Sequence, residues 1–167
     1  MKFNETNKFK KGTIGENIIV KELESNGWSV YRPNGDKAHL IDIIAIKNNK
    51  TIAVDVKTKA RFNKFNAQGI DLKHYKKYKQ YMIENNHEVY VFFIDDKIGD
   101  IHILDLKNEP NGIVFAEKKF PYSVIKRWNL EDLIFFKNIN NKQAIDKLSN
   151  YDERNYEFSP QMTFNFN

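Results

Sequence analysis

In the stretch "IDIIAIKNNKTIAVDVKTK", Asp42 and Asp55 each sit in an apolar run, and Lys57 follows two residues after Asp55. A charged side chain at the rim of a core is expensive unless something uses it. Side chains alternate along a strand, so Asp55 and Lys57 share one face and Val54 and Val56 the other. Asp42 belongs to the preceding strand, across the short turn "NNK", and pairing of the two strands brings the carboxylates close. Two nearby carboxylates repel unless protons or a cation lie between them. Hard divalent cations take such oxygens. Lys57 would stand beside that cation, placed to stabilise developing negative charge or to orient a water. Glu16 adds a third acid if the helix that carries it overhangs the strands. A metal, a water and a lysine around a phosphodiester are the parts that hydrolytic phosphate cleavage needs.

Each of these residues also has a bland reading. Asp55 and Lys57 make a strand-end ion pair worth little. Glu16, three residues after Thr13, has capping-box spacing. Asp42 resists such a reading, because its apolar neighbours leave little exposed surface. His39 is a lone histidine, and Tyr75, Tyr78 and Tyr81 read as core and edge packing.

The elements that must position these groups follow from periodicity. "TIGENIIVKELESNGW" reads as a helix with Thr13 at its N-cap, an apolar stripe of Ile14, Ile18 and Leu23, and a stop at Asn26-Gly27. "WSVYR", "HLIDIIAI" and "TIAVDVKTK" read as a three-stranded meander over residues 28–59, the middle run apolar enough for a strand covered on both faces. "DLKHYKKYKQYMIENN" is a basic helix, with Leu72, Tyr75 and Met82 on one face and Tyr78 near it. "EVYVFFID" is a buried strand, followed by "IHILDL", and "FPYSVIKRWNLEDLIFFKNI" carries a Pro turn and helix-like apolar stretches. The order argues an α/β sandwich with a mixed sheet. Residues 1–148 read as one domain, with a core over about 10–95 and additions over 96–148. Residues 149–167 read as a polar, aromatic tail, either flexible or draped over the body.

At this point the residues resemble a family. Asp42, twelve residues, then Asp55-Val56-Lys57, behind a helix with Gly15-Glu16, is similar to the PD-(D/E)XK nuclease superfamily. Within it the chain most resembles archaeal Holliday-junction resolvases and related restriction or phage nucleases, over about residues 10–95. Ile41 stands where the superfamily's proline would precede Asp42. The resemblance implies an αβββαβ restriction-endonuclease-like core with a mixed central β-sheet flanked by helices. It implies that Asp42, Asp55, the main-chain carbonyl of Val56 and Glu16 bind Mg²⁺ or Mn²⁺, and that Lys57 is catalytic together with Asp42, Asp55 and the assisting acid Glu16. The implied enzyme is a divalent-metal-dependent DNA endonuclease acting on branched DNA, as a homodimer. A restriction-type or phage nuclease acting on linear duplex, an RNA-directed nuclease, and a non-catalytic DNA- or protein-binding module on the same fold are the other readings.

Basic runs flank these residues: Lys10 and Lys11 before the first helix stripe, Lys59, Arg61 and Lys64 after the central strand, and Lys73, Lys76 and Lys77 on the second helix. They suit a phosphate-backbone footprint, as does the net charge of +5. No sequence-reading motif accompanies them. There is no cysteine, so no disulfide framework or thiolate metal site exists, which fits a reducing cytoplasm. No apolar run approaches the length of a membrane helix, and the N-terminus lacks a secretory apolar region.

Overall fold

The structure, a computed structural model, describes residues 7–33, 39–62, 64–116 and 123–149. Helix α1 spans Asn7–Ser25 and ends where Gly27 adopts φ 79° and the Trp28 N–H returns to the Leu23 carbonyl at 3.0 Å. That is a left-handed helix stop. Strands β1 (Ser29–Tyr31), β2 (Ile43–Lys47) and β3 (Lys50–Thr58) form an antiparallel meander. Asn48 and Asn49 make the β2–β3 turn at φ 49° and 61°, closed by the Lys47–Lys50 pair. Two successive positive φ values match the right-handed twist of a two-residue hairpin, and Asn tolerates them. Strand β4 (Ala67–Asp71) leads into helix α2 (Leu72–Asn85). The Asp71 carboxylate caps α2 by accepting the Lys73 N–H at 2.8 Å, and Asn86 ends it at φ 52°.

Strand β5 (Glu88–Ile94) returns parallel to β3, with Asp55 opposite Val91 and Lys57 opposite Phe93. Strands β6 (Asp100–Asp105), β7 (Ile113–Ala116), β8 (Val124–Asn129) and β9 (Ile134–Asn138) and helix α3 (Lys142–Ser149) complete the described chain. The main sheet runs β1-β2-β3-β5-β6-β9, mixed through its one parallel pair. A smaller antiparallel sheet runs β4-β8-β7. The expected αβββαβ core is present, with β4 inserted before α2.

Alternation along β3 divides the molecule. Ile52, Val54 and Val56 pack with Ile14, Ile18, Ile19 and Leu23 of α1 and with Ala144 and Leu148 of α3. Ala53 points the other way, into a core of Tyr78, Val89, Val91, Phe93 and Trp128 beneath α2 and the small sheet. Each fully buried large apolar side chain contributes about 1.5–3 kcal/mol, so both layers are strongly driven together. At Gly15 the helix lies so close to β3 that a Cβ would collide with Thr58 Oγ1 and stand 3.3 Å from Ile94 Cδ1. This contact sets Glu16 over the end of β3.

Several expectations are corrected. Thr13 is inside α1, not at its N-cap, so Glu16 is no capping-box acid. Lys10 and Lys11 are good helix formers, and the Lys11–Asp96 ion pair ties their turn to the β5–β6 connection. Asp42 precedes β2 rather than lying within it. Residues 67–71 form a strand that had no pattern of its own. Residues 124–138 form β8, a 3-10 turn at Leu130–Asp132 and β9 rather than helix, because β8 pairs with β4 and β9 with β6. The tail beyond Ser149 lies outside the described residues. Among the described residues no helix is long and apolar enough to cross a membrane.

Candidate active site

Asp42 is pinned to β3 twice. Its N–H donates to the Val54 carbonyl at 3.0 Å, and its Oδ2 accepts the Val56 N–H at 2.8 Å. The hairpin thus lays Asp42 alongside Asp55, the next acid on the partner strand. Asp55 is 2% exposed. Lys57 Nζ donates to its Oδ1 at 2.9 Å and stands 2.7 Å from Oδ2. The hydrogen bond goes to Oδ1. Oδ2 is close to the ammonium but receives no well-directed hydrogen bond from the described residues. Tyr78 of α2 is buried beside Asp55, and burial together with the Asp55 charge pushes its phenol far above the ordinary range.

The electrostatics show the cost of this crowding. Burial, then the Asp55 charge, pushes the Asp42 carboxyl up to about 7, against the opposing Val56 hydrogen bond. Burial also raises Glu16, whose carboxylate lies 3.7 Å from Arg32 and feels the charges of Asp55 and Lys57. Among the described residues no three His, Cys, Asp or Glu side chains converge tightly enough to hold a metal by themselves. Asp42 and Asp55 nevertheless fit a hard cation: two carboxylates that repel each other in a half-closed site are what such an ion relieves. Mg²⁺ is commonly held by only one or two carboxylates, with water filling the remaining positions.

No protein-family model matches the chain. A UPF0102 protein of Bacteroides thetaiotaomicron is 40% identical over 50 residues, which is 29% of this chain and 41% of that relative. The chain therefore spans less than half the length of the relative it matches. Among solved structures, Hjc of Archaeoglobus fulgidus, a Holliday junction resolvase from an archaeal hyperthermophile, superposes with a TM-score of 0.52 at 16% identity, covering 75% of this chain and 92% of that one. The fold is that of a Holliday junction resolvase. It contains the αβββαβ core with a mixed central sheet that the sequence led one to expect.

On this resolvase fold the predicted basic residues divide into two groups. Lys73, Lys76 and Lys77 are exposed on the outer side of α2, and Lys64 is exposed beyond β3, while Lys10 is half-buried. The other three are engaged within the protein. Lys11 pairs with Asp96, and Lys59 Nζ donates to the Gly69 carbonyl. Arg61 bonds Asp95 at 2.5 Å, Asn66 at 2.8 Å and Asp100 at 3.1 Å. A phosphate would have to compete for these three. His39 is exposed. Sequence reasoning missed Arg32, and treated Tyr78 as packing alone. The helical spacing from Tyr75 put Tyr78 on the inner face, but only the placement of α2 shows that it meets Asp55.

The raised Asp42 pKa gives the metal-free resolvase fold a pH dependence. An ordinary aspartate titrates near about 4. As pH rises from about 4 to about 7, the unfolded chain releases this proton before the folded one does, so stability falls across that window. Asp42→Asn should flatten the fall. Thermal midpoints of both proteins in EDTA, across that window, measure it. Equal slopes would show that Asp42 is not the group held protonated.

Proposed function

We propose that this chain is a metal-dependent endodeoxyribonuclease that hydrolyses phosphodiester bonds in branched DNA. The observation that carries the reading is the charge-frustrated pair of half-buried Asp42 and buried Asp55, with Lys57 on Asp55. Asp42, Asp55 and the Val56 main-chain carbonyl would hold Mg²⁺ or Mn²⁺. When bound, the ion supplies Lewis-acid polarisation of the phosphate and a water of lowered pKa. Lys57, its side chain 30% exposed, turns from Asp55 to the phosphoryl oxygen and offsets the charge that grows there. Glu16, held by Arg32 and raised in pKa, accepts or returns a proton at the attacking water. Cutting opposite strands needs two such sites, most simply in a two-fold homodimer.

Lys73, Lys76 and Lys77 give the protein a phosphate-facing surface on α2, the helix that buries Tyr78 against Asp55. The test is incubation of linear, nicked, flapped and four-way DNA with Mg²⁺, Mn²⁺ or EDTA. Cleavage of the four-way DNA in either ion and none in EDTA is expected. Cleavage of linear duplex alone would redirect the reading to a restriction-type nuclease. Binding without cleavage in both ions would leave a non-catalytic module. On DNA that binds, replacing all three α2 lysines should reduce the slope of log affinity against log salt by roughly one unit per lost contact. An unchanged slope would return these lysines to a merely solvated role.

A further inference from the structure

The chain that leaves β3 after Thr58 does not run straight to β4. It folds into a compact turn: the Phe62 N–H donates to the Ala67 carbonyl at 3.1 Å, the Phe65 N–H to the Phe62 carbonyl at 3.2 Å, and the Ala67 N–H to the Phe65 carbonyl at 2.8 Å. This turn walls a hollow of about 370 Å³ lined by Arg61, Phe62, Lys64, Phe65 and Asn66. Phe65 is 47% exposed. Its ring is held by a cation: the Arg127 guanidinium of β8 lies 4.1 Å from its centroid. Phe62 meets Phe115 edge to face at 5.8 Å, and Lys59 Nζ lies 5.9 Å from the Phe62 centroid. Gly69 pairs with Arg127, and a Cβ there would stand 3.0 Å from the Arg127 Cβ. The bare glycine lets β4 and β8 approach closely at Arg127.

A phenylalanine left half in water against a guanidinium is wasted as packing. It is well suited to a flat, electron-rich ring attached to a phosphate. Stacking on aromatics with nearby positive charge is how proteins take hold of unpaired nucleotides without reading their sequence. The hollow also lies within reach of the candidate active site. Arg61 is four positions beyond Lys57 in the chain, about 14 Å at full extension.

We propose that this hollow binds an unpaired nucleotide of DNA, its base stacked on Phe65 and its phosphate held by Arg127 and Lys64. The proposal rests on the DNA-directed reading above and deepens it: the protein engages strands where pairing is broken. The test measures fluorescence anisotropy in EDTA with a short labelled oligothymidylate, an abasic strand of equal length and a blunt duplex. Phe65→Ala should weaken oligothymidylate binding by about 5- to 150-fold, the worth of one stacked base. It should leave the abasic strand and the duplex unchanged. Phe65→Trp, which keeps a stacking face, should retain the affinity, and Arg127→Ala should weaken both single strands. Equal affinity of Phe65→Ala and the unaltered protein for oligothymidylate overturns the proposal. So does an equal loss on the abasic strand, which has no base to stack. Duplex binding with either of those results sinks the stacking site alone. Failure of the unaltered protein to bind any of the three DNAs sinks the DNA-directed reading with it.

Discussion

Asp55→Ala is expected to lose metal binding and DNA cleavage together. Changes one shell removed from a metal already cost about 10–100-fold, so removal of a direct ligand should exceed the upper end of that range. The fold should survive. The Asp55 charge adds to the effect of burial on Asp42, so without it the Asp42 carboxyl should move part of the way back towards the ordinary aspartate range. Lys57, which loses its partner, is 30% exposed and can turn its ammonium to water. Mn²⁺ affinity, single-turnover cleavage and the thermal midpoint of the one variant check all three statements. A variant that still cuts at the normal rate would end the metal mechanism.

Lys57→Ala should behave differently. Its work is done on charge that appears only in the transition state, so cleavage should slow by about 10²- to 10³-fold, as for other lost oxyanion donors. Metal and DNA affinity should persist. In metal-free protein the same change leaves the buried Asp55 carboxylate without its counter-ion. The stability lost should be less than the about 3–5 kcal/mol of a fully buried broken pair, since Lys57 is partly solvated. Added Mn²⁺ should restore much of it by taking the place of the ammonium. Loss of metal binding as complete as in Asp55→Ala would refute this division of labour, though not the site.

What sequence made legible was what local pattern decides. The Asn48-Asn49 turn, the acids on either side of it and the basic α2 between Asp71 and Asn86 all follow from short-range signals, and the structure has each in place. Long-range partners decided the rest. Nothing in "AQGID" suggests a strand, since Ala67, Gly69 and Asp71 are poor strand formers, but β8 pairs with it from residues 125–129. The same β8 read as helix because its apolar residues do not alternate cleanly: Trp128 is buried, while Ile125 and Arg127 are only partly covered. Lys11 and Arg61 were visible as cations. Their acids, Asp96 and Asp95, stand 85 and 34 residues away in the chain, so their engagement was not. Tyr78 was legible as a buried ring but not as the neighbour of Asp55, because that needs α2 laid across the sheet.

The two pairings that flank β3 differ in how soon they can form. The β2–β3 hairpin closes over two residues, and such hairpins form in about 1–10 μs. The parallel β3–β5 pair must wait for the chain from Lys59 to His87, with β4 and α2 in it, to be laid down. Its loop-closure entropy has to be met before any contact rewards it. Asp42 and Asp55 are therefore brought together by one of the most local contacts of the sheet, while water still surrounds both. Their repulsion is screened at that stage and grows only as β5 and α2 arrive to exclude solvent. The charge conflict of the finished site is a late event in the life of each newly made chain, which leaves the early hairpin free of it.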